Sequence, residues 1–198
     1  MTFAARPQNT FGAGSAPLLR QYTGTGVETI PAGYTTLVVE DWGAGGGGGG
    51  SGGVTQGGGG ASGSYARSVF SVAGAAGQTI NYAAGAGGAG GSTSTGAGAQ
   101  GGTSTVTSGT FAMAAMTAPG GFGGLGSAYQ TGGLPGAAAT GGNATNSAGN
   151  AGTSGAINGH GGPAVVGTNG LGTDGGTGSN SAAPGVRGGS GVISFYYA

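Results

Sequence analysis

His160 is the single histidine of the chain, in the run Asn158-Gly159-His160-Gly161. An imidazole titrates near neutral pH and is the commonest general base. To drive nucleophilic chemistry it needs a serine, threonine or cysteine within hydrogen-bond reach and an acid to orient it. The nearest acid in sequence is Asp174, itself inside a glycine tract. This spacing favours an exposed loop residue that offers hydrogen bonds over a base. Glu40 and Asp41 are adjacent, and on a strand adjacent side chains point to opposite faces, so they do not form a carboxylate pair. The chain has no cysteine, and no cluster of histidines and acids has metal-ligand spacing. Gly85-Ala86-Gly87-Gly88-Ala89-Gly90 matches a dinucleotide fingerprint in letters only, because no helix is expected after it. A phosphate-binding Walker loop needs lysine, and there is none. The chain is therefore read as no enzyme, with no metal and no cofactor.

What remains is recognition chemistry. Tyr129, in Ser127-Ala128-Tyr129-Gln130-Thr131, lies between glycine tracts. A tyrosine there presents a large rigid ring with a polar tip, the usual character of a binding hot spot. Tyr129, Gln130, Ile157 and His160 are the candidate binding residues. They lie in or near the segments that interrupt the glycine tracts: 127–131, the surroundings of Leu134-Pro135, 156–160 and 163–166.

The elements that must position them are strands and glycine tracts. Glycine supplies 57 of 198 residues, several times its usual share. A chain this rich in glycine is either a flexible linker or a fold in which no side chain would fit. Clear period-two runs favour the fold. The alternation predicts strands over 26–30, 34–42, 64–72, 78–82 and 191–197, and a weaker pair over 103–108 and 110–117. Pro31-Ala32-Gly33 and the stretch 73–77 read as turns, the second joining 64–72 and 78–82 in a hairpin. No window carries a helical period. Between the strands, glycines recur every three residues: 46, 49 and 52; 57, 60 and 63; 85, 88 and 91; 120, 123 and 126; 149, 152 and 155; 172, 175 and 178; 185, 188 and 191. Three residues per turn is the polyproline-II period, and glycine on one edge lets extended segments meet at backbone contact. The expected fold is all-β with irregular extended segments. Its small sheet region is built from N-terminal, middle and C-terminal strands, beside packed polyglycine-II-like tracts. Residues 1–22 hold less glycine and read as a separate attachment arm, with 23–198 as the glycine-rich domain.

Four acidic and four basic side chains leave the formal charge at zero. No basic stripe can meet phosphates, so neither nucleic acid nor an anionic membrane surface is an expected partner. The N-terminus has no signal-peptide pattern and no apolar run is long enough to span a bilayer, which points to synthesis in a cytoplasm without membrane insertion.

The run Thr29-Ile30-Pro31-Ala32-Gly33 and the stretch from Leu37 through Asp41-Trp42-Gly43-Ala44-Gly45 to Gly48 resemble the opening of the glycine-rich domain of bacteriophage tail-fibre and adhesin proteins. Ser64 to Arg67, Gly77 to Ile80 and the closing strand Gly188 to Tyr197 continue the likeness. Asp41 departs from it, standing where an apolar residue is usual. The resemblance implies a virion protein with a polyglycine-II lattice. It also implies a fibre-tip adhesin whose loops contact a protein or glycan receptor on the host cell. Partner virion proteins would be held through residues 1–22. A structural virion component without a receptor role and an ice-binding polyglycine-II bundle are the alternatives.

Overall fold

The computed structural model describes residues 15–53, 55–93, 96–155, 159–167, 173–179 and 183–198. Among them there is no α-helix. The strands are β1 (Leu18–Tyr22), β2 (Thr25–Thr29), β3 (Thr36–Trp42), β4 (Tyr65–Ser71), β5 (Thr79–Ala83), β6 (Ser104–Ser108), β7 (Met116–Ala118), β8 (Thr145–Ser147) and β9 (Val192–Tyr197). They form two antiparallel sheets, of order β1-β9-β3-β4-β8 and β2-β5-β6-β7. The all-β reading stands, and β9 closes the first sheet from the inside, pairing with both β1 and β3.

Alternation explains the packing of the two sheets. Leu37 and Val39 of β3 share a face with their cross-strand partners Tyr197 and Phe195. That face packs on the second sheet, and Ile80, Val106, Met116 and Ala118 complete one core with it. Burying each large apolar side chain contributes roughly 1.5–3 kcal/mol. The opposite face of β3 is also covered. Trp42 is fully buried, donates its indole N–H to the Val165 carbonyl at 2.9 Å, and lies against Tyr65 with ring centroids 5.1 Å apart. Tyr65 in turn donates its hydroxyl to Glu40 at 2.6 Å.

Three expectations change. The stretch 64–72 does not form a hairpin with 78–82: β4 pairs with β3 and β8, whereas β5 pairs with β2 and β6. The intervening turn is a crossover between sheets, because both strands have apolar faces that only the inter-sheet core can bury. The weaker pair exists, but its second strand shrinks to Met116–Ala118. Residues 18–22 are a full strand of the first sheet, and the first-sheet order begins with them. The sheet therefore starts before residue 23, while residues 1–14 of the expected arm lie outside the described residues.

Glu28 ties the sheets together. It is 1% exposed and accepts hydrogen bonds from Arg20, from the Tyr22 hydroxyl and from the Tyr197 hydroxyl, each at 2.8 Å. Arg20, Tyr22 and Tyr197 belong to the first sheet and Glu28 to the second. Desolvation, then the bond to Glu28, pushes the Tyr22 phenol up to about 12 and raises that of Tyr197 as well.

The glycine tracts form a lattice that extends from one end of the sheets. Segments 43–51 and 57–64 lie at its centre. The N–H groups of residues 45, 48 and 51 bond to segment 183–189. Those of 46 and 49 bond to 57–64, and those of 44, 47 and 50 to 96–102. A bond direction that repeats every third residue is the polyglycine-II arrangement, with each chain hydrogen-bonded to several neighbours that run alongside it in either direction. Segments 85–91, 120–126 and 174–179 bond to the remaining sides of 43–51, which thus has six neighbours.

Position in the lattice explains the composition of each segment. A Cβ on any of Gly45 to Gly50 would overlap a neighbouring carbonyl, so these six central positions are uninterrupted glycine. Outer segments need glycine only on inward edges, and they read Gly-Gly-X. In Gly120-Gly121-Phe122-Gly123-Gly124-Leu125, the glycines press on segments 57–64 and 96–102 while Phe122 and Leu125 face out. Two of the period-three sets legible in the sequence show how such a set faces one neighbour. Gly57, Gly60 and Gly63 meet the carbonyls of Gly49, Gly46 and Gly43; Gly85, Gly88 and Gly91 meet those of Gly102, Ala99 and Gly96.

Candidate functional site

The direction of each segment decides which turns share an end. Segment 43–51 leaves β3, segment 85–91 leaves β5 and segment 119–126 follows β7, so all three run away from the sheets. Segments 57–64, 96–103 and 183–191 run back into β4, β6 and β9. Residues 51–53, 55–56 and 92–93 and the reversal at 127–130 therefore lie together at the far end of the lattice, roughly 20–25 Å from the sheets at ~3.1 Å per residue. The Pro31-Ala32-Gly33 turn, the 73–77 crossover and the described start of the chain lie at the opposite end. There the Tyr34 hydroxyl donates to the Ala16 carbonyl at 2.9 Å.

Tyr129 sits on the far-end turn 127–130 and is 76% exposed. The turn is held rigidly for so exposed a residue. Tyr129 and Gln130 both donate their N–H to the Gly126 carbonyl at 3.0 Å, and the Gln130 carbonyl accepts from Gly155 at 2.6 Å. The Ser127 N–H donates to Gly50, and the Ser127 carbonyl accepts from the Thr55 hydroxyl at 3.1 Å. Gln130 has φ of 53°, the one positive value at a non-glycine residue among those described. A left-handed glutamine costs about 1–3 kcal/mol and is tolerated where surrounding bonds over-determine it.

His160 is exposed, and its carbonyl accepts from the Thr153 N–H at 2.9 Å and the Thr153 hydroxyl at 3.1 Å. Gln130 and His160 thus bond to the same segment, 149–155, near its far end. The structure brings Tyr129, Gln130 and His160 to one end of the molecule. Ile157 lies outside the described residues. The 163–166 stretch behaves differently from the far-end turns: it roofs Trp42 on the sheet side, although Val166 remains exposed. Gly85 to Gly90 is an extended lattice segment with no helix after it, so the dinucleotide reading has no structural context.

Next to this tip, along the side of the lattice, lie side chains that sequence reasoning left unassigned. Segments 120–126 and 131–136 run antiparallel, joined by the N–H of Phe122 to Leu134 and of Leu125 to Thr131. Their outward side chains flank an apolar groove of about 320 Å³ lined by Phe122, Gly123, Leu125, Thr131, Gly132, Gly133 and Leu134. Phe122 and Leu134 are 46% and 68% exposed, unusually open for such large apolar groups side by side. The signal for this groove was the bulky residue recurring at every third position beside Leu134.

The site offers an exposed aromatic, amide and imidazole hydrogen-bonding groups and an apolar groove, all on a rigid frame. The exposed aromatic, amide and imidazole lie at the far end of the lattice and the groove along its side. The chain belongs to the glycine-rich domain family, whose model matches residues 21–198. A search of the curated proteins finds no match.

Proposed function

We propose that this protein is a non-enzymatic virion appendage component, a tail-fibre or fibre-tip adhesin of a bacteriophage, that contacts a host cell-surface receptor through the far end of its lattice. The observation that carries the reading is the polarity of the molecule. The described far-end reversals present Tyr129 and Gln130 on one side of the lattice, while the sheets occupy the other. An adhesin needs this separation, with recognition at a free tip and anchoring at the base through the sheet end and residues 1–22. Glycine offers little side-chain contact, so recognition falls to Tyr129, Gln130, Ile157 and His160. Copies arrayed on a particle would add avidity to a weak single contact.

The test is a phage carrying Tyr129→Ala together with His160→Ala. Particles are expected to assemble at normal yield and to adsorb at least tenfold more slowly to host cells. Normal adsorption rejects the tip as the receptor site. Failed assembly with a correctly folded protein favours a structural virion role.

A further inference from the structure

Inside the lattice, each extended segment is completed by neighbours that take up its N–H and C=O groups. Along the groove between 120–126 and 131–136 this completion stops. Phe122, Gly124 and Leu125 donate to protein carbonyls, but Gly123 makes no hydrogen bond through its N–H or its C=O among the described residues. On the facing segment, Gly132 is open in the same way. Pro135, three residues further on and so on the same edge as Gly132, has no N–H to satisfy. Gly123 and Gly132 both line the groove and are half-buried. The flanking side chains repeat at the same three-residue interval, Phe122 and Leu125 on one wall, Thr131 and Leu134 on the other.

We propose that this groove is the seat for one more extended chain, a proline-rich apolar peptide segment of a partner protein in the polyproline-II conformation. Three features select that occupant. Its rise of ~3.1 Å per residue matches a wall whose side chains recur about every 9 Å, whereas a helix rising ~1.5 Å per residue does not. Its backbone carries the donors and acceptors that Gly123 and Gly132 leave open. The groove lining holds no charged residue, so an uncharged segment enters without stranding a buried charge. Aromatic and aliphatic walls around a preformed extended peptide are a known recognition mode, and the preformed chain loses little entropy on docking. This inference does not depend on the receptor reading, because the groove runs along the side of the lattice while Tyr129 and His160 sit at its tip.

The experiment is calorimetric titration of the intact protein with a (Pro-Pro-Leu)4 peptide, using a flexible (Gly-Ser)6 peptide as control. Phe122→Asn combined with Leu134→Asn removes the apolar walls from two exposed positions, and an unchanged melting temperature shows that the lattice is intact. Saturable binding of the proline peptide, weakened at least tenfold in the double variant and absent for the control, is the expected result. No saturable binding, equal binding of the control, or unchanged affinity in the double variant overturns the proposal. Sedimentation of the protein alone supplies the remaining arm. A concentration-dependent dimer abolished by the double variant would assign the groove to a second copy of this chain, and so would overturn the partner assignment too. If the variant melts early, Leu134→Asn alone, at the more exposed position, decides by the same criteria.

Discussion

At the scale of single residues, Asp41 is a costly choice. It is fully buried, and neither carboxylate oxygen has a hydrogen-bond partner. It shares the inter-sheet face of β3 with Leu37 and Val39 and lies opposite Ala66 and Ile193. Burial therefore raises its pKa well above the usual carboxylate range. The sign of the linkage follows. The folded state holds the proton more tightly than the unfolded state, so below the unfolded value near 3.8 the ionisation of this group costs nothing. Stability then falls as pH rises from there towards the folded pKa. Asp41→Val should stabilise the protein by about 1–3 kcal/mol at neutral pH, and the gain should shrink towards pH 3. Thermal melts of both proteins at several pH values check this, and a pH-independent difference would show that Asp41 is not the titrating group. Glu28 is the contrast: an equally buried carboxylate, but with three donors, so it joins sheets where Asp41 strains one.

At the scale of elements, the lattice depends on which edge of each segment carries a side chain. Gly152 faces the backbone of Gly59 and Gly60, whereas Thr153 is exposed. Gly152→Val should destabilise the domain by about 1–3 kcal/mol or more, because the obstacle is a carbonyl that cannot rotate away. Thr153→Val should have a small effect, limited to the hydroxyl bond to His160. Chemical denaturation of the two variants measures the difference, and equal small losses would mean that segment 149–155 is not packed as described.

At the scale of the whole molecule, β9 is the closing piece. It reaches the sheet after the last lattice segment and lies between β1 and β3. Its removal would expose Leu37 and Val39 and leave Glu28 without Tyr197. A chain ending at residue 190 is expected to lose cooperative melting, as followed by circular dichroism. A variant that melts like the full chain would show that the two sheets hold without it. Chain reversal also sets the polarity of the molecule, since segments leaving and re-entering the sheets force their distal turns to one end.

The sequence by itself determined the local periods. Alternation in 34–42, 64–72 and 191–197 marked strands, and glycine every third residue marked the lattice edges, because both periods are properties of the backbone. It also marked Tyr129, as a large side chain among glycines. Strands β1 and β8 escaped notice: Leu18–Tyr22 alternates but lies beside a glycine-poor start, and Thr145-Asn146-Ser147 carries no apolar signal. Only the tertiary structure decided that β4 and β5 part company into different sheets, because partner choice rests on which distant faces can be buried together. It alone brought Phe122 and Leu125 beside Leu134 to make the groove, and Gln130 beside the segment that holds His160. Those contacts follow from the register of neighbouring lattice segments, which is set by the pairing of N–H and C=O groups between chains and leaves no trace in the local run of residues.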